Sequence, residues 1–156
     1  MLIVNITTIS SRLHLCSATL WSLSRQSLTA DKIIVWVSKD AYMSDLGINE
    51  PPNWLSLVNS NNNIEFRFTK NTGPYRKIIP ALNEFSCDDV LVYADDDVIY
   101  GFDWLNYLYS DFIENDTNYI VASRVRKVLF NAFGIRRSYN DFPLVEQPVV
   151  LEQRFM

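Results

Sequence analysis

The run Ile33-Ile34-Val35-Trp36-Val37 contains no polar residue. A strand wet on one side would alternate, so such a run belongs to a strand covered on both faces, as inner strands of a parallel sheet are. The rest of the chain supplies partners and crossovers. Leu2 to Thr7 reads as a first strand. Ser10 or Ser11 is placed to cap a helix whose Leu13, Cys16, Leu20 and Leu23 recur at helical spacing. After the second strand, the polar segment Ser38 to Asn63 holds Pro51-Pro52 and the turn signal Asn61-Asn62-Asn63. Ile64 to Phe68 alternates as a third strand. Gly73-Pro74 breaks the chain before a short helix carrying Ile78, Leu82 and Phe85, in which Pro80 fits the first turn. Val90 to Tyr93 is a fourth strand, and Asp103 is placed to cap a helix through Trp104, Leu105, Leu108 and Phe112. Tyr119 to Ala122 reads as a fifth strand. This order predicts an α/β domain, a three-layer α/β/α sandwich around a mostly parallel sheet.

With 156 residues, 48% of them hydrophobic, the chain can bury the core of one ordinary domain, expected over 1–156. A net charge of −4 leaves no overall basic footprint for nucleic acid. Cys16 and Cys87 have no metal-ligand spacing and read as reduced, buried thiols of a cytoplasmic protein. His14 is the only histidine, which disfavours a histidine-built zinc site or a serine–histidine triad. No apolar stretch reaches the roughly 20 residues that span a bilayer, and the N-terminal apolar run is too short for a signal-peptide core. With four glycines there is no Rossmann or P-loop phosphate loop.

The strongest chemical signal is Asp95-Asp96-Asp97, directly after the apolar fourth strand. Carboxylates this close repel one another and resist desolvation. A divalent cation relieves that cost, and Mg²⁺ or Mn²⁺ with a diphosphate is the usual client of one or two carboxylates. An acidic turn is the alternative. In open parallel sheets ligands sit outside the carboxyl ends of the strands. Thr7, Asp40, Lys77 and Asp95 to Asp97 all follow a strand end or open the helix after one.

Four stretches in order carry a resemblance: Ile6-Thr7-Thr8 with Arg12; Asp31 to Ser38; Tyr75-Arg76-Lys77-Ile78-Ile79-Pro80-Ala81-Leu82; and Asp95 to Tyr100 with Asp103-Trp104-Leu105. To about residue 125 the chain resembles the N-terminal, nucleotide-binding half of a GT-A glycosyltransferase. The likeness is to bacterial polysaccharide-type enzymes related to the large inverting family. The resemblance implies a nucleotide-sugar donor, a glycan or lipid-linked acceptor, and Mn²⁺ or Mg²⁺ to neutralise the leaving diphosphate. Asp97 would hold the metal. Asp95 would contact the ribose or assist at the metal, and Asp96 could do either or be a solvated neighbour. Lys77 would meet the diphosphate, against the alternative of a solvated helix lysine. Thr7, Thr8 and Arg12 would face the nucleotide, and Asp40 the base or ribose, although Lys39 loosens the pattern there.

The resemblance weakens after the fifth strand. The acceptor-side segment 124–156 is short or truncated, and Asp141, Glu146 and Glu152, its only acids, have no recognisable context for a general base. A non-catalytic nucleotide-sugar-binding domain is therefore the alternative function. A receiver or phosphatase is disfavoured, because Thr7 and Thr8 stand where those proteins place acids. Arg124, Arg126, Lys127, Arg136 and Arg137 could favour an anionic donor, a lipid-linked acceptor or the inner face of the membrane; a solvated basic face is the alternative.

Overall fold

The computed structural model describes residues 1–117 and 119–145. The chain divides into two compact units, Met1–Tyr107 and Leu108–Met156.

The first unit is built on four strands, β1 (Leu2–Thr7), β2 (Lys32–Val37), β3 (Ile64–Phe68) and β4 (Val90–Tyr93). They pair in the order β3-β2-β1-β4, and every pairing is parallel. Strand β2 is buried from Ile33 to Val37, as its unbroken apolar run requires. The helices are α1 (Leu13–Leu23), the single turn α2 (Leu55–Val58), α3 (Ile79–Glu84) and the first turn of α4 (Trp104–Glu114), whose remainder falls in the second unit. Ile3, Ile34 and Trp36 share one face of the sheet and pack with Ala81 of α3, flanked by Phe85 and Leu91. Against the other face, Trp54, just before α2, meets Phe66 edge-on, and α2 in turn packs on α1. Helix α1 buries Cys16, Thr19, Leu20, Ser22 and Leu23. The fold is α/β, a wholly parallel sheet flanked by helices.

One buried polar pair is knitted into this core. Asn5 of β1 is fully buried, and its Oδ1 accepts the indole N–H of Trp36 at 2.9 Å, so neither group lacks a partner.

Both expected serine and aspartate caps give way to tertiary partners. Ser10–Arg12 forms a 3₁₀ turn ahead of α1 without a side-chain cap, and Ser10 Oγ accepts the Leu46 N–H at 2.9 Å instead. At the start of α4 the Leu105 N–H donates to Gln26 Oε1 at 2.9 Å, the position expected of Asp103. Gln26 also donates to the carbonyls of Ser22 and Gly101, so one buried amide ties α1 to the chain entering α4. Pro80 lies in the first turn of α3, as its missing N–H demands.

The expected fifth strand does not form. Tyr119 to Ala122 carries no ladder, and Ile120 is 88% exposed: β-propensity makes no strand without a partner strand to pair with. In the second unit the described chain instead folds back on itself through the bridges Arg126–Leu144 and Phe130–Arg136, with a 3₁₀ turn at Tyr139–Asp141. Phe142 is buried, meets Tyr139 edge-on, and accepts through its carbonyl from Arg126 Nη1 at 2.7 Å.

The loop after β2 depends on one glycine. Gly47 has φ +84°, and a Cβ there would stand 2.2 Å from the Lys39 carbonyl oxygen, a backbone atom that cannot swing away. Gly47→Ala is therefore expected to lower stability by about 1–3 kcal/mol in urea unfolding. Gly101→Ala, which meets nothing within 4 Å, serves as the control and should stay within about 1 kcal/mol of the parent.

Candidate functional site

In the order β3-β2-β1-β4 the chain adds strands on one side of β1 and then crosses to the other, so the switch in direction falls between β1 and β4. The crevice beyond the carboxyl ends of two such strands is where doubly wound sheets bind ligands. A cavity of about 520 Å³ opens there. Thr7 and Thr8 after β1, Arg12, Lys77 and Asp95 to Asp97 after β4 all line it. Seven of the eight residues expected to bind nucleotide or metal are thus brought together: Thr7, Thr8, Arg12, Lys77, Asp95, Asp96 and Asp97. Asp40 is not among the lining residues. It is exposed, and its contacts run through the backbone: the N–H to Ser38 Oγ and the carbonyl to Asn71.

The acids and bases of the cavity face one another. A single Arg12 nitrogen, Nη2, lies 2.6 Å from Asp96 Oδ1 and 2.6 Å from Asp97 Oδ2. Lys77 Nζ lies 2.6 Å from Asp95 Oδ1 and donates to the Ala94 carbonyl at 3.0 Å. Asp96 is 5% exposed, so the arginine is the partner that makes its burial tolerable. Sequence reasoning grouped Asp95 with Asp97 as the metal ligands; the carboxylates that converge on one cationic nitrogen are Asp96 and Asp97. Among the described residues no group of three or more His, Cys, Asp or Glu side chains is arranged to hold a metal. Two converging carboxylates nonetheless fit Mg²⁺ or Mn²⁺, which complete their shell with water and phosphate oxygens.

Thr7 has spent its proton: the hydroxyl donates to the Trp36 carbonyl at 2.8 Å, so toward a ligand its oxygen can only accept. Lys77 closes a 3₁₀ turn, Gly73–Lys77, and so enters the cavity just ahead of α3. The acidic loop is braced by Tyr100, whose hydroxyl accepts the Asp95 N–H at 2.8 Å while its own N–H donates to Ser22 Oγ. The Tyr100 ring lies against Trp104, with centroids 4.1 Å apart. Burial pushes the Tyr100 hydroxyl up to about 12, so it remains a phenol at neutral pH. Burial, reinforced by the Asp96 charge, likewise pushes the Cys16 thiol up to about 12 and removes it as a nucleophile.

Sequence reasoning missed the pair that builds the opposite wall. Arg76, 1% exposed, donates from Nη1 to Asp45 Oδ2 at 2.8 Å, from Nη2 to the Thr8 carbonyl and from Nε to the Gly73 carbonyl. Asp45, 3% exposed, also accepts the N–H groups of Ser10 and Gly47 and the Asn71 amide. Tyr42 and Asp45 exchange two backbone hydrogen bonds around Met43, which is held at φ 53°. Arg76 stood within the motif Tyr75-Arg76-Lys77, but no local pattern distinguishes a buried arginine from the exposed residues beside it. Asp45 gave no signal, since the partners that tie it to other elements, Ser10, Asn71 and Arg76, lie 26 to 35 residues away.

The chain matches no known protein family, and no curated protein matches its sequence.

Burial alone would raise the Asp45 carboxyl, but the Ser10 and Gly47 N–H groups and then Arg76 hold it below the usual carboxylate range. A depressed folded pKa gives stability that is present above the unfolded value and lost as pH falls through the folded one. Asp45→Asn leaves Arg76 buried without a counter-charge and should cost about 3–5 kcal/mol near neutral pH. That deficit should begin to shrink as pH drops below about 4, where the unfolded parent takes up the proton, and should close only once pH has fallen through the depressed folded pKa. Urea unfolding of both proteins across this range checks the expectation.

Proposed function

We propose that the Met1–Tyr107 unit is the nucleotide-sugar-binding part of a metal-dependent glycosyltransferase of GT-A type. The donor would be a nucleoside diphosphate sugar and the acceptor a glycan or lipid-linked hydroxyl. The observation that carries this reading is the interlocked charge at the switch point: Arg12 held by Asp96 and Asp97, Lys77 by Asp95.

A diphosphate entering the cavity draws Arg12 and Lys77 toward its oxygens. The three carboxylates then lose their counter-charges and repel both the ligand and one another. Asp97, with Asp96 or Asp95 as second ligand, would hold a dication that restores the balance, so anion and cation are expected to bind together. The metal when bound would supply Lewis-acid neutralisation of the leaving diphosphate. Arg12 offers a guanidinium fork suited to phosphate, and Lys77 a point charge. The Thr7 oxygen, able only to accept, suits a ribose hydroxyl, as does Asp95 on the rim.

One observation favours the second reading, a donor-binding module without transfer. The cavity's four carboxylates, Asp45, Asp95, Asp96 and Asp97, each face a cation. None of them stands ready to deprotonate an acceptor. Asp141 belongs to the second unit, in the 3₁₀ turn Tyr139–Asp141, and Glu146 and Glu152 lie outside the described residues. Release of nucleoside diphosphate from nucleotide sugars, measured with and without acceptors, separates the readings: acceptor-dependent release supports transfer, and none supports a binding module.

Calorimetry with uridine and guanosine diphosphate should show clear binding in Mn²⁺ and little in chelator. Asp97→Asn should remove most of that gain, on the order of tenfold in affinity or about 1.4 kcal/mol, with the fold retained. Equal affinity with and without metal would refute the dication role.

Lys77→Met is expected to weaken nucleoside diphosphate binding and to leave nucleoside binding nearly unchanged, because only the former carries the charge it pairs with. An equal loss for both ligands would mean that Lys77 does not contact phosphate.

A further inference from the structure

The second unit carries a surface of a different kind. Between Tyr119 and Val145 the chain has five Arg or Lys and a single acid, Asp141, although its net charge is −4. The segment doubles back as a narrow hairpin: Arg126 bridges Leu144, Phe130 bridges Arg136, and the Arg137 N–H donates to the Leu129 carbonyl at 2.9 Å. Its tip is a fixed turn. Asn131 donates its N–H to the Ile135 carbonyl, and Asn131 Oδ1 accepts the N–H groups of Phe133 and Ile135 at 2.9 and 3.0 Å. Gly134 at φ 75° lets the chain reverse.

This braced turn holds Phe133 at 89% exposure, flanked by exposed Phe130 and Ile135. Contiguous exposed apolar side chains of this kind mark an interaction site. Lys127, Arg136, Arg137 and Arg124 are exposed along the arms behind the tip. Phe130 and Arg136 stand directly opposite each other, so ring and guanidinium leave the same face of the ladder. Arg126 is excluded from this set, since it is engaged with the Phe142 carbonyl and the Tyr139 ring.

We propose that this hairpin docks on the surface of an anionic lipid bilayer, with Phe133 entering the boundary below the headgroups and the four bases meeting lipid phosphates. Charge and order carry the choice of occupant. An apolar groove on a protein would accept the tip, but it would not account for bases set back along both arms. An anionic bilayer presents negative charge at its surface and hydrocarbon beneath, in the order in which the hairpin presents bases and aromatic. Attachment by one small apolar tip and a few bases is reversible, and weakens as salt screens the charges. This proposal stands independently of the donor-binding reading, which concerns the other unit.

Flotation of the full chain with vesicles of phosphatidylcholine alone, and of phosphatidylcholine mixed with phosphatidylserine, tests it. Binding is expected to the mixed vesicles only and to fall as sodium chloride is raised. Phe133→Ser, and separately the double variant Arg136→Glu with Arg137→Glu, should each weaken it by about tenfold. All three positions are exposed, so thermal unfolding should remain that of the parent. Failure of the parent chain to float with anionic vesicles, or flotation of correctly folded variants like the parent, overturns the proposal. So does vesicle-free self-association that Phe133→Ser abolishes, since the tip would then be covered by a second copy of the chain.

Discussion

The buried pair between Arg76 and Asp45 is the contact on which the candidate site depends. Through it the 3₁₀ turn before α3, the loop after β2 and the chain leaving β1 are bound to one another, because Arg76 also holds the Thr8 and Gly73 carbonyls and Asp45 also holds the Ser10 and Gly47 N–H groups. Buried ion pairs seldom add net stability over a well-packed apolar replacement, since desolvation of both charges offsets their attraction. What this one supplies is position. It fixes three irregular segments that no ladder or helix would otherwise hold in register, and with them the wall that faces the acidic loop. Lys77, next in sequence to Arg76, is thereby set opposite Asp95.

A contrast in burial divides the charges of this unit by task. Arg76 and Asp45 are sealed and over-bonded, and so are poor candidates for exchange with a ligand. Arg12 and Lys77 instead meet carboxylates that reach solvent, Asp97 and Asp95, and Arg12 also meets the buried Asp96. Tyr100 belongs with the first group: by accepting the Asp95 N–H and lying tilted against Trp104 it braces the loop. A rigid frame around exchangeable charges suits a site that binds a charged ligand without collapsing when it is empty.

The second unit differs in its means of stability as well as in its charge. Among its described residues it has the later turns of α4, bridges, a 3₁₀ turn and one buried aromatic, Phe142, where the first unit has a four-stranded sheet covered by helices. At its hydrogen-bonded turn, Phe130, Phe133 and Ile135 are held exposed close together in sequence.

The sequence by itself determined what depends on near neighbours. Four strands, the helices at Leu13, Ile79 and Trp104, the first-turn place of Pro80 and the acids at a strand end were all legible, because apolar periodicity and proline chemistry act within a few residues. The run at Tyr119 shows the limit, since β-propensity alone does not make a strand without a partner strand. Tertiary structure alone decided the rest: that Gln26 caps α4, that Arg12 bridges Asp96 and Asp97, and that Arg76 and Asp45 meet in the interior. Each of these joins residues 31 or more positions apart, and a hydrogen bond or ion pair of that span leaves no periodicity in the chain. It exists only once the strand order β3-β2-β1-β4 has brought the loop ends together.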